Sequence, residues 1–285
     1  MFSGMPAYQI STRSNGNLMQ YVVKVISLGM PNPANRLFLY LLGFYLLLIS
    51  LKVDYRLSAV GAIAFSFSSY FFIIIMAGHL TKAHAIAYVP MVVAAVLYTY
   101  RGRMLLGGVL TALTVALELY ANHLQITYYL VLVLILIGVV QFVKDLKANN
   151  LTSFAKRSGV LVLAALLASG TAVTRLSTTM EYGTESTRGK SELTTDLDNK
   201  TSGLDKDYAT DWSYGIAESF TLLIPNFYGG SSSNSVLTLE DESETLDFLK
   251  RFKNKQLANA LANYKSSSYW GDQPFTSGPT YAGSI

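Results

Sequence analysis

AHAIAYVPMVVAAVLYTYRGRMLLGGVLTALTVALELYANHLQITYYLVLVLILIGVVQFV, residues 83 to 143, decides the fold class. It holds three apolar runs, Ala83 to Tyr100, Met104 to Tyr120 and Leu124 to Val143, separated only by Arg-Gly-Arg and Ala-Asn-His. A helix rises about 1.5 Å per residue, so roughly 20 apolar residues cover the ~30 Å hydrocarbon layer of a bilayer. Each run is of that order, and Glu118 is the one carboxylate within them. Connections this short make successive helices antiparallel neighbours.

Three further runs extend the pattern: Leu37 to Leu51, Leu57 to Ala77 and Ser158 to Leu176, the last weakened by Ser169, Thr171 and Thr174. The chain therefore reads as a mainly α, polytopic membrane protein with about six crossings. Its composition agrees: of 285 residues 51% are hydrophobic and only 14% are charged, little charge for a soluble domain of this length. Three regions follow. Residues 1–36 read as the end of an outer loop, with a short amphipathic helix over Leu18 to Leu28 at the interface; 37–176 form the six-helix block; 177–285 form an extracytoplasmic segment that stops before further crossings. Within that last region, Gly215 to Ile224 places Ile216, Phe220, Leu223 and Ile224 on one helical face. Pro225 ends it, and Glu242 to Tyr264 reads as a charged surface helix.

The net charge of +4 conceals a split. Residues 1–176 carry 13 Lys and Arg against Asp54, Glu118 and Asp145, whereas 177–285 carry nine bases against 15 acids. That distribution argues against a nucleic-acid partner and for a bilayer. Lys52 with Arg56, Arg101 with Arg103, and Lys144, Lys147, Lys156 and Arg157 fall in alternate loops. By the positive-inside rule these lie in the cytoplasm, and residues 1–36, 78–83, 121–123 and 177 onward lie outside. Cysteine is absent, so there is no disulfide framework or thiolate metal site. The amino terminus lacks the basic and apolar regions of a signal peptide, and the carboxyl terminus stops as a weakly apolar run begins. Both ends read as cut from a longer chain.

All three histidines, His79, His84 and His123, fall on the expected outer side, with Lys82 between the first two. No HxxxH spacing joins them into a zinc site; no cofactor is identified, and a divalent metal is compatible with the residues without being indicated by them. Glu118 is the more informative group. An ionisable side chain within an apolar helix is costly, by roughly 2.5–3.5 kcal/mol at the bilayer centre, and is normally paired or turned to a cavity. Asn122 follows at i+4 on the same face, and Gln125 opens the next run. Arg175 ends the sixth run on the same side, with Arg188 beyond it; guanidinium forks suit phosphate or carboxylate. Each of these groups taken alone also suits an ordinary solvated interface. Together with Trp212, Tyr214 and Trp270 they outline an outer crevice suited to a sugar or lipid phosphate. Transporters instead place polar groups near the midplane on broken helices, and no phosphate loop of the GxxxxGK[ST] type occurs.

GHLTKAHAIAYVPMVVAAV (78–96), YRGRMLLGGVLTALTVALELYANHLQITYYLVLVLIL (100–136), EYGTESTRGK (181–190), WSYGIAESFTLLIPNFYGG (212–230) and YWGDQPFTSGP (269–279) resemble, in consistent order, the YfhO-like bacterial membrane proteins. That resemblance implies a C-type glycosyltransferase fold in the bacterial cytoplasmic membrane. It implies an enzyme that takes a sugar from a polyprenyl-phosphate donor and passes it to a cell-envelope lipid or glycan on the extracytoplasmic face. Family members are much longer, so this chain reads as an internal fragment. Their catalytic carboxylate follows the first crossing, whereas no Asp or Glu precedes Asp54 in this sequence. The general base is therefore expected outside the chain and the catalytic residue stays unassigned. His79, Lys82, His84, Glu118, Asn122, His123, Gln125, Arg175 and Arg188 are then expected to bind the carrier or support the site. A lipid or polysaccharide transporter and a non-enzymatic envelope protein remain the alternatives.

Overall fold

The computed structural model describes residues 16–183, 206, 210–232, 251, 255–256, 268–276 and 280–281. The chain divides into two units, residues 1–67 with 78–188, and residues 68–77 with 189–285.

The first unit is helical. α1 spans Met19–Ile26, α2 Ala34–Ser50 and α3 Tyr55–Ser66. After the segment that belongs to the second unit come α5 Leu80–Tyr100, α6 Met104–Tyr120, α7 Leu124–Lys147, α8 Leu151–Gly170 and α9 Val173–Gly183; α4, Ser69–Met76, lies in the second unit. Four stretches are long and apolar enough to cross a membrane: Tyr55–Met76, Leu80–Tyr100, Leu124–Lys147 and Leu151–Gly170. α2 and α6, each 17 residues, are shorter apolar helices. The protein is a multi-pass α-helical membrane protein, and no β-sheet occurs among the described residues, only an isolated bridge between Gly229 and Tyr269.

Three boundaries differ from the sequence reading. The run Leu57 to Ala77 is interrupted at Phe67 and Ser68, where α3 ends and the chain passes into the other unit. The sixth helix begins seven residues earlier than Ser158 and stops at Gly170; Thr171 and Ala172 turn the chain and the polar α9 begins. The hydroxyl of Thr171 donates to Ala168 O at 2.7 Å, an alternative to continuing the helix. Consequently Lys144 and Lys147 end α7 while Lys156 and Arg157 lie in α8, and the connection is only Ala148 to Asn150. Lysines in the last turn of α7 complement its negative dipole end. Arg157 Nη1 meets Asp145 Oδ2 at 3.6 Å and Gln141 donates to the same oxygen at 3.0 Å, which ties the two helices near this turn.

α5 is the central helix of the unit: half of its apolar window is buried, against 11% for α7 and for α8. It packs on α2, α6, α7 and α8, and α8 also lies along α6. Lipid tails are as apolar as leucine, so close backbone approach rather than hydrophobic burial selects these contacts. Small residues mark them. A methyl on Gly107 would stand 2.8 Å from the backbone of Thr99, one on Gly108 2.5 Å from Val160, and one on Gly43 3.0 Å from Ala87 O. Between these crossings Val92, Val96, Tyr100 and Leu130 form a buried cluster against Phe154 and Leu161. The largely unburied faces of α7 and α8 are the surfaces left for lipid.

In the second unit Ala217–Leu222 is a 3-10 helix rather than an α-helix. The chain returns through Gly229 and Gly230 to pair with Ser268 and Tyr269: Gly230 N–H donates to Ser268 O at 2.9 Å and Trp270 N–H to Tyr228 O at 3.1 Å. Gly229 has φ +83 and its missing side chain admits the Ser268 carbonyl, so both its conformation and its contact require glycine. The surface helix expected over Glu242 to Tyr264 falls almost wholly outside the described residues.

Candidate functional site

The polar groups gather where α5 begins and where α6 turns into α7. α6 ends at Tyr120; Ala121 N–H donates back to Leu117 O and Glu118 O, Asn122 takes φ +57, and His123 precedes α7. Asparagine tolerates this left-handed conformation better than most residues, which allows a turn of three residues between two long helices.

Glu118 is fully buried, and both of its carboxylate oxygens accept from Thr127 Oγ1 at 3.0 Å. Thr127 N–H donates to His123 O at 3.3 Å. The carboxylate of α6 is thereby fastened to the second turn of α7, and the pair fixes the Ala121 to His123 connection from beneath. Among the described residues Thr127 is the only hydrogen-bond partner of that carboxylate. Replacing Thr127 by valine should cost about 1–3 kcal/mol, the penalty for a buried acceptor left without its donor. Thr127→Ser should restore most of it, and thermal unfolding of the purified protein in detergent measures both.

Above this anchor, the Asn122 amide oxygen, oriented by its hydrogen bonding, accepts from Arg175 Nε at 3.3 Å and Nη2 at 3.1 Å. Residues 53 positions apart are joined, the amide from the α6–α7 turn and the guanidinium from α9. A guanidinium carries five N–H donors, of which this contact engages those of Nε and Nη2. His123 Nδ1 is buried and has no hydrogen-bond partner. Burial holds the His123 imidazole below the usual histidine range, and Lys82 and His79 nearby depress it further.

The sign of that depression gives a testable pH dependence. The folded imidazole resists a proton that the unfolded chain accepts near pH 6.5. The associated stability is fully present above pH 6.5 and is lost as the pH falls through the lower folded value. In NMR titration of the three imidazoles, His123 should titrate below pH 6.5, and Lys82→Gln should move it upward.

The other expected residues divide. His79 is exposed and caps the start of α5; Lys82 is one turn on, and both lie within electrostatic range of His123. His84 turns inward, with Nε2 3.0 Å from Tyr88 Oη, and the two rings lie tilted at 48° with centroids 5.1 Å apart. Gln125 is exposed and donates to Tyr129 Oη at 2.9 Å, so it is not brought to the cluster. Arg188 lies outside the described residues.

Sequence reasoning missed two groups. Arg36 is buried in the first turn of α2, donating to Leu80 O at 3.4 Å and to the Asn32 side chain, and lies within electrostatic range of His84 and Tyr88. Tyr40, fully buried, donates to Ala83 O at 2.6 Å. These two side chains join α2 to the first turn of α5 and so orient the segment bearing His79, Lys82 and His84. The available signal was Arg36 with Tyr40 at i+4, which points both at one neighbour.

The α6–α7 turn thus joins two sets of groups, Asn122 with Arg175 and His123 with Lys82 and His79, next to a buried carboxylate already engaged by threonine. It is rich in hydrogen-bond donors and matches an anion. Among the described residues no group of three or more His, Asp or Glu converges as a metal site. No family model, no curated protein and no solved structure matches the chain.

Proposed function

We propose that this polytopic membrane protein belongs to an extracytoplasmic glycosyltransferase of the C-type, transferring a sugar from a polyprenyl-phosphate donor to a cell-envelope lipid or glycan. One observation carries the reading: the α6–α7 turn carries both Asn122, which holds the Arg175 guanidinium, and His123, whose unpartnered Nδ1 belongs to a ring within electrostatic range of Lys82 and His79. A lipid-linked phosphate anchors its tail in the bilayer and needs cationic or N–H donors at the level of the headgroups. Arginine serves that role through its planar fork. The resemblance of residues 78–96, 100–136, 181–190, 212–230 and 269–279 to YfhO-like bacterial membrane proteins supports the same substrate class.

In this role Arg175 and Lys82 stabilise the negative charge that grows on the departing phosphate, and His123, neutral at pH 7, donates or accepts a hydrogen bond. Glu118 is a positioning group: it accepts from Thr127 and holds the turn, and it does not take the acceptor's proton. The basic turns Lys52–Arg56 and Arg101–Arg103 support an orientation with the opposite end in the cytoplasm and this end outside, and the resemblance to YfhO-like proteins implies a bacterial inner membrane.

The test is sugar transfer from a polyprenyl-phosphate donor by membranes containing the full-length protein. Transfer that disappears on gene deletion supports the reading. Unchanged envelope glycosylation and no transfer overturn it, and lipid flux in proteoliposomes without transfer points to a transporter instead.

A further inference from the structure

The first turn of α2 buries a cation that no carboxylate answers. Arg36 is 8% exposed and stands at the positive end of the α2 dipole, where no acidic residue offsets it. Its acceptors are all neutral. Nε donates to Leu80 O at 3.4 Å, and Nη1 donates to the side-chain oxygen of Asn32 and, at 3.4 Å, to that of Asn35. Nη2 donates to none of the described residues.

The carboxylates of this unit with a stated partner are engaged elsewhere. No Asp or Glu occurs before Asp54, which caps α3 by accepting from Arg56 N–H at 2.9 Å. Glu118 accepts from Thr127, and Asp145 meets Arg157 and Gln141. Among the described residues Arg36 forms no ion pair. The titratable groups within electrostatic range of it are Tyr40, whose hydroxyl donates to Ala83 O at 2.6 Å, and Tyr88 and His84, which hydrogen-bond each other at 3.0 Å. Burying an ion without a counter-ion is expensive, and neutral acceptors offset only part of that cost.

The surroundings of the guanidinium are rich in donors. Asn32 and Asn35 turn their amide oxygens to Arg36, so each keeps an NH2 group for another acceptor. Asn32 is exposed and Asn35 half-buried, which leaves the rim open. Leu80, whose carbonyl accepts from Nε, is the first residue of α5, so the starts of two helices meet at one guanidinium. Neither start is capped by a side chain, and both present the positive end of a dipole. A single anion would offset the buried charge and both dipoles together.

The place in the fold names the anion. α2 is an apolar helix and α5 is long and apolar enough to cross a membrane. A cation at the mouth of two such helices lies at headgroup level, where basic pockets collect phosphate esters. The planar fork of arginine matches two phosphate oxygens. We propose that Arg36, with the Asn32 and Asn35 amides and the adjoining starts of α2 and α5, is a phosphate-binding site. Its ligand carries a phosphate group, esterified in a lipid headgroup or free. The site shares no residue with the Asn122–Arg175 contact and does not depend on sugar transfer.

The test uses the full-length protein in a neutral maltoside detergent free of phosphate, in chloride buffer of fixed ionic strength. Phosphatidylglycerol should raise the unfolding temperature by about 2–5 °C, the shift a ligand well above its Kd produces. Inorganic phosphate is the second arm: a shift with the lipid alone assigns a headgroup, and a shift with inorganic phosphate assigns the free ion. Asn32→Asp decides whether the increment belongs to Arg36. The change is nearly isosteric, lies at an exposed position and puts a carboxylate on the same guanidinium nitrogen. It should raise the unfolding temperature without phosphate and remove most of the phosphate increment. Arg36→Gln should lower the first and also remove the second. No increment from either phosphate source over chloride overturns the proposal. So does an increment that survives in full in Asn32→Asp, or an Asn32→Asp protein less stable than its parent without phosphate. An increment lost in Arg175→Ala and kept in Asn32→Asp assigns the phosphate to the α6–α7 turn and overturns it as well.

Discussion

If the protein transfers sugar as proposed, replacing Arg175 by alanine should lower that transfer about 10²-fold, mainly in kcat, with little change in folding. That is the scale on which removing one preorganised donor from a developing anion acts. The guanidinium has a single described partner pair, Asn122 with Arg175, and lies on a polar helix beyond the last membrane-length stretch, so little of the fold depends on it. Arg175→Lys keeps the charge but loses the fork, and should recover only part of the rate. Asn122→Ala frees the guanidinium without removing it and should cost about tenfold, the usual consequence of losing position rather than charge. Transfer kinetics at saturating donor separate the three. If Arg175→Ala leaves both kcat and KM unchanged, the carrier phosphate does not bind there.

Gly107→Leu should destabilise the first unit by about 3 kcal/mol, read as a lower unfolding temperature in detergent. Gly107 faces Thr99 across the three-residue turn, where a methyl would already lie 2.8 Å from the Thr99 nitrogen and Cα. The Thr99 hydroxyl lies closer still, but the backbone atoms cannot rotate away as it could, so α5 and α6 must separate to accept the side chain. Thr99 is itself fully buried and donates to Ala95 O at 3.0 Å, which removes room for adjustment. Gly107→Ala should show the same effect at smaller size. Gly159→Ala, where nothing lies within 4 Å, should be neutral and serves as the control.

The helices of this protein were legible because a bilayer imposes length. Ala83 to Tyr100, Met104 to Tyr120 and Leu124 to Val143 correspond to α5, α6 and α7 within a few residues, since charged or amide-bearing turns stop each run where hydrocarbon would end. The short helix near Leu18 to Leu28 was legible for a different reason, its amphipathic spacing. The site was legible only as a list of residues on one side. That Glu118 would be used up by Thr127, nine positions on, follows from how α6 and α7 pack across the turn. That Asn122 would hold Arg175 follows from where α8 stops, and α8 stops six residues before the apolar run does. Neither distance is a period of any helix.

The stretch Gly215 to Ile224 shows the same division most sharply. Ile216, Phe220, Leu223 and Ile224 were placed on one face from an α-helical spacing, and such a face is normally the buried one. The backbone is instead a 3-10 helix, and Tyr269, 51 residues away in sequence, draws Glu218 inward. By itself the sequence determined that the chain is a mainly α, multi-pass membrane protein, because apolar run length is a local property that lipid reads directly. Tertiary structure alone decided which polar groups are spent on each other and which remain to meet a ligand or a lipid. Hydrogen-bond partners are chosen by proximity in space, and a helix with free ends and no partner does not fix it.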